Sequence, residues 1–147
     1  LRARRTATLA TRDAAGAPFV SMVPFAIDGA ARRIVLHVSG LAAHTGHMAA
    51  DPRVALLVAA AEQDGAPVHE LPRVSLAALA ATPGRGSAGW ASARAAYLAR
   101  FPEAEPMTAL GDFRFVALEL TGARQVAGFG TARSVGADEL ALLLAPD

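Results

Sequence analysis

The chain has 147 residues, is 53% hydrophobic and 18% charged, carries a formal net charge of +1 and contains no cysteine. A chain of this size can bury a continuous core without disulfides or metal, so residues 1–147 are read as one domain. The absent cysteines exclude a disulfide framework and a thiolate metal site, and fit the reducing cytoplasm expected as its location. All 14 basic residues are arginines scattered along the chain; they form no stripe able to neutralise many phosphates, so nucleic acid is not an expected partner. No run approaches the length of an apolar membrane span, and Leu1 to Arg5 shows charge but no apolar leader region. So few charges leave little surface to keep wet, which favours an oligomer with an apolar interface.

The first half reads as an antiparallel meander: strands over Thr6–Arg12, Pro18–Ile27 and Arg33–Val38, with turns at Asp13 to Gly16 and Asp28-Gly29. Asp28-Gly29 between two apolar runs is a hairpin signal, since glycine accepts the positive φ of tight turns. Leu41, Thr45 and Met48 recur at helical spacing over Leu41–Ala50, and Asp51-Pro52 stops the pattern. Strands follow at Arg53–Ala60 and Arg73–Thr82, joined by a polar connection. Val54, Leu56 and Val58 face one side and Ala55, Leu57 and Ala59 the other, so both faces of that strand should be covered, the second by a partner subunit.

After the Pro/Gly loop at 82–86, Ser87 caps a helix with Trp90, Ala93, Tyr97, Leu98 and Phe101 in a stripe, and Pro102 ends it. The strand Asp112–Leu120 changes its alternation after Phe115, which predicts a β-bulge. A last strand near Gln125–Ala132 and a helix over Asp138–Leu144, acidic in its first turn, complete the chain. Short antiparallel strands with helices in the crossings make a mainly β, α+β barrel that closes its own edges.

The ordered motifs Pro18-Phe-Val-Ser-Met-Val-Pro-Phe25, Val38-Ser-Gly-Leu-Ala-Ala-His-Thr45, Asp51-Pro-Arg-Val-Ala-Leu-Leu-Val58 and Arg73-Val-Ser-Leu76 resemble the pyridoxamine 5′-phosphate oxidase-like flavoproteins, in the branch that includes heme-degrading oxygenases. Tyr97 to Glu103, Gly111-Asp-Phe113 and Gly128-Phe-Gly130 follow in the order of that branch. The resemblance implies an FMN-binding split β-barrel with flanking short helices, a homodimer with FMN at the subunit interface, and an oxidoreductase acting on a small molecule. It places Ser21, Met22, Val23 and Pro24 along the flavin, Val38 and Ser39 near the ribityl-phosphate, and His44 with Thr45 at the phosphate. His47 departs from an asparagine common in the family, and Ala78 from a glycine.

Physical chemistry supports the phosphate end: a helix opening after Ser39-Gly40 offers unpaired N–H groups and the favourable end of its dipole. Arg73, opening a strand, is a candidate guanidinium donor, although an arginine there is more often a solvated strand terminus. The flavin would carry two-electron chemistry, with oxygen or a nicotinamide as second partner. The alternatives are a heme-binding or heme-degrading protein of the same fold and a non-catalytic flavin-binding protein. Heme degradation in that branch depends on further C-terminal sequence with a metal-binding histidine, which sets it behind flavin binding here.

Rival readings of single residues are plainer. His44, His47 and Asp51 share helical spacing suited to a divalent metal, against which Asp51 is an ordinary helix stop, so no metal is expected. His37 reads as a hydrogen-bonded histidine beside the barrel and His69 as a solvated one. Pro83-Gly-Arg-Gly-Ser87 lacks the lysine of a phosphate loop, Gly128-Phe-Gly130 lacks a third glycine, and Phe129 reads as core.

Overall fold

The computed structural model describes residues 1–128 and 130–146. Its elements are β1 (Thr6–Arg12), β2 (Pro18–Pro24), β3 (Ala26–Asp28), β4 (Arg33–Ser39), α1 (Ala43–Ala50), β5 (Arg53–Ala59), β6 (Arg73–Ala81), α2 (Ala88–Arg100), β7 (Phe113–Val126), β8 (Ala132–Gly136) and α3 (Ala137–Leu144), with 3-10 turns at Val68–Glu70 and Pro102–Ala109. The strands form one antiparallel sheet in the order β2-β1-β5-β6-β7-β4-β3, and β8 pairs with β7 outside this path.

Closure of the sheet follows from chain order. β2 and β3 lie at opposite ends of the strand order yet are separated only by Phe25. The sheet must therefore curl until its ends meet. The single strand expected over Pro18–Ile27 is accordingly broken: the chain turns at Phe25, whose side chain is fully buried, just after a proline that cannot donate to a ladder.

Inside the curl pack Leu9, Ile34, Leu36, Leu56, Leu76 and Leu118. A second cluster joins Ala26, Val35 and Phe115 on the outer face to Ala93, Tyr97 and Phe101. α2 owes its place to the Ser87 hydroxyl, which accepts from the Trp90 N–H at 3.1 Å, and to its apolar stripe. Because α2 covers this side, β4 is buried on both faces, whereas β5 alternates with Val54, Leu56 and Val58 inward.

Three turn and register expectations change. The Asp28-Gly29 hairpin has a four-residue connection, since Asp28 pairs with Arg33, and its positive φ falls at Arg32 (53°). Gly29 is needed for space: a Cβ there would meet the Leu144 carbonyl and the Pro146 nitrogen at 3.1 Å. The altered alternation after Phe115 reflects two covered faces, with β4 and β7 in unbroken register. The register shift lies further on, at Ala77/Ala78, where Thr121 is skipped between Leu120 and Gly122. Buried Ala78 sits beside it. The strand expected over Gln125–Ala132 is the end of β7, a turn and the start of β8. Gly130 in that turn takes φ 73°, and Phe129 lies outside the described residues.

Candidate functional site

The barrel is split along one seam. β3 pairs only with Arg33 to Val35, so on that side the Leu36 to Ser39 half of β4 has no strand partner among the described residues. Across the gap lies β2, which pairs on one side only, with β1. Two stretches of strand edge without a strand partner therefore border the seam, and α1 packs against β1 and β2 at its end. Such edges need a partner, which makes the seam a natural place for a ligand.

Alternation along β2 divides the expected flavin contacts. Phe19, Ser21 and Val23 face inward with Thr11, Leu9 and Ala7, while Val20, Met22 and Pro24 face out. Val23 and Val38 are core residues, and Met22 is 68% exposed. Ser21 Oγ meets His44 Nδ1 at 3.1 Å, and Thr11 Oγ1 meets His47 Nδ1 at 2.9 Å. The His47 ring also stands edge-on to Phe19, with 5.1 Å between centroids. Burial lowers the pKa of His44 below 6.5, and the neighbouring charge of His47 lowers it further. At neutral pH its imidazole is uncharged, and with Nδ1 held by Ser21 its Nε2 is the atom left for a ligand.

At the other lip, Thr45 donates its hydroxyl to the Ser39 carbonyl at 2.6 Å, tying α1 to the end of β4. Ser39 Oγ donates to Asp112 Oδ2 at 3.2 Å and accepts from the Leu41 N–H at 3.1 Å. Both hydroxyl protons expected near a phosphate are thus already placed within the chain. No side chain caps α1 at Ala42, so its first turn keeps free N–H groups. Beside it stands Arg114, opposite Val38 on β7. Its guanidinium lies so close to Gly40 that a Cβ there would come within 2.8 Å of Nη2. Arg114 is exposed, and its guanidinium has no acceptor among the described residues.

The sequence reading missed Arg114, because only strand pairing brings it beside Gly40. Arg73, in contrast, stands apart from the cleft within one protomer. It pairs with Ala59 and Val126, at the end of the sheet away from α1. There it donates to the Leu71 carbonyl at 3.0 Å.

Hydrogen bonds from Arg53, side chain first and backbone second, hold the Asp51 carboxyl at about 2. Among the described residues no group of three or more His, Asp or Glu gathers around a metal-sized space. His37 corrects its hydrogen-bonded reading: its buried Nδ1 has no partner, and its ring is packed by Tyr97, Phe113 and Phe115. Burial, and secondarily the charge of Arg85, push its pKa down.

The strands define a split antiparallel barrel with polar side chains of β1, β2 and α1 gathered at its seam. The family model described as pyridoxamine 5′-phosphate oxidase matches residues 1–127, and the chain belongs to that family. The heme oxygenase HutZ of Vibrio cholerae is 31% identical over 138 residues, 93% of this chain and 77% of that protein. A solved structure of a heme binding protein from Mycobacterium smegmatis superposes with TM-score 0.86 at 30% identity, covering 96% of this chain. This chain spans 56% of that protein's chain. The crystal structure of HutZ, there described as a heme storage protein, gives TM-score 0.72 at 28% identity, over 80% of this chain and 82% of that one. The split-barrel expectation holds, and these relatives favour heme over the flavin oxidoreductase set first by the sequence reading.

Two features of the cleft fit heme. The neutral His44 imidazole has one nitrogen available to iron, and the guanidinium of Arg114 beside the uncapped turn of α1 suits a propionate. The same turn and guanidinium suit the phosphate of FMN. No helix among the described residues is long and apolar enough to cross a membrane.

Proposed function

We propose that this chain is a heme-binding split barrel of the pyridoxamine 5′-phosphate oxidase family, holding heme along the seam between β2 and β4. The observation that carries the reading is the match to the Mycobacterium smegmatis heme binding protein over 96% of this chain. His44 would be the iron-facing residue, Ser21 would fix its ring, and Arg114 with the first turn of α1 would receive a propionate. Heme, when bound, supplies a redox-active iron. The chain's own part is to present a neutral imidazole and to fix the orientation of the ring edge.

HutZ is described both as a heme oxygenase and as a heme storage protein. Binding is common to both, and it is the function proposed here. Degradation is decided by turnover, since the same fold serves either. An oxidoreductase that uses FMN in the same cleft is the second reading, favoured by the free backbone of β2 and the uncapped α1 turn.

A homodimer belongs to the proposal. The outer faces of β2, β5 and β6 carry Val20, Met22, Leu57 and Leu79, all exposed in one copy. Registers Thr8↔Met22 and Thr8↔Leu57 make Met22 and Leu57 neighbours of one residue. Such a face buried against a second copy accounts for the high apolar content.

The test is a visible absorption titration with hemin and, separately, with FMN, on the wild type and His44→Ala. Saturable one-to-one hemin binding, weakened in His44→Ala, supports the reading. Retention of FMN through desalting with no saturable hemin binding overturns it in favour of the flavin. Bound hemin is then mixed with a reductant in air, and loss of its absorption separates degradation from storage.

A further inference from the structure

A second hollow lies at the end of the barrel away from α1. It is an open hollow of about 700 Å³ between the N-terminal segment, the ends of β5 and β6, and α3. Its floor is made of Val58, Leu76, Val135 and Leu140, which are core side chains. Apolar side chains at the bottom of an open hollow gain free energy when an apolar ligand removes them from water. A hollow of this size is in the range of small-molecule sites.

Among the described residues its charged lining is Arg2, Arg4 and Arg73, with no carboxylate. Arg2 donates to the Ala145 carbonyl and Arg73 to the Leu71 carbonyl. Arg4 is half-buried, and its guanidinium has no acceptor among the described residues. Glu62, the nearby acid, lines a neighbouring hollow that shares Arg4 with this one. Apolar depth with cations at the rim matches one ligand chemistry: a long apolar body ending in a carboxylate.

We propose that this cavity binds an amphipathic carboxylate of the fatty-acid class, its chain seated on Val58, Leu76, Val135 and Leu140 and its carboxylate between Arg4 and Arg73. The site is separate from the cleft and does not rest on the heme reading. It gives Arg73 an anion-binding role at a place the sequence alone did not point to. A carboxylate between two guanidinium groups makes charge-assisted bonds, and losing them weakens binding on the order of tenfold or more.

The experiment is a methyl-labelled NMR titration of the full chain with decanoate, and with 1-decanol as uncharged comparator. The expected result is saturable shifts at Val58, Leu76, Val135 and Leu140 with decanoate bound more tightly than decanol. In the Arg4→Gln, Arg73→Gln double variant, decanoate affinity falls about tenfold or more while decanol affinity holds and the unliganded spectrum stays that of a folded chain. Shifts confined to the outer-face residues Met22 and Leu57, equal affinity for the acid and the alcohol, or an unchanged decanoate affinity in the variant would each overturn the proposal.

Discussion

Ser21 Oγ and His44 Nδ1 lie 3.1 Å apart across the seam of the barrel, joining an edge strand to the helix that closes its end. The bond orients a ring already kept neutral by burial. Removing the hydroxyl in Ser21→Ala is expected to weaken hemin binding roughly tenfold, the effect typical of losing a group that orients a metal-bound histidine. His44→Ala is expected to weaken it more. Both are read from hemin titrations at pH 7.5. Because iron requires the neutral imidazole, wild-type affinity should fall as pH drops through the lowered pKa of His44. An affinity that is flat with pH counts against His44 as the ligand.

His37 makes folding stability itself depend on pH. Its folded pKa is pushed below 6.5, so between the two values the unfolded chain binds more protons than the folded one. Its contribution is fully present above pH 6.5 and is lost as the pH falls through the folded value. Its buried Nδ1 has no hydrogen-bond partner in the folded chain among the described residues. Urea midpoints of His37→Leu are expected to change less between pH 7 and pH 5 than those of the wild type. Equal slopes for the two proteins would show that the acid sensitivity comes from elsewhere.

Asp28 is the polar centre of the interface between the β3–β4 hairpin and α2, and it is only 2% exposed. Its carboxylate accepts from Arg33 Nε at 3.0 Å and from Ser92 Oγ at 2.9 Å, while Arg33 also donates to the Gly89 carbonyl at 2.7 Å. Asp28→Ala leaves a part-buried guanidinium without its carboxylate partner and should cost about 2–4 kcal/mol. Ser92→Ala should cost about 1 kcal/mol. Denaturant unfolding followed by Trp90 fluorescence measures both, and a loss below 1 kcal/mol for Asp28→Ala would show that the pair is not needed to hold α2.

Met22 and Leu57 flank Thr8 on the outer face and are 68% and 41% exposed in one copy. If that face is the dimer contact, Met22→Glu with Leu57→Glu places two carboxylates at it, and the mass in sedimentation equilibrium should fall from two chains to one. Circular dichroism should not change, because neither side chain supports the inner core. A wild-type protein that sediments as a monomer refutes the contact.

Local chemistry made most elements legible. The strand Thr6–Arg12, the Asp51-Pro52 stop, the Ser87 cap and the apolar stripe of α2 depend on a few neighbouring residues, and each is found where the sequence reading put it. The ordered motifs were enough to recognise the family. What the sequence left open was set by pairing between strands distant in the chain. β4 with β7 brings Arg114 beside Gly40, and β5 with β6 carries Arg73 to the far end of the barrel. The same pairing puts the register shift at Thr121 instead of after Phe115. The apolar pattern of a single strand shows that a face is covered, as on both sides of β4, but not by what. The choice between a helix and a partner subunit is made only when the sheet curls, because burial is a property of neighbours in space.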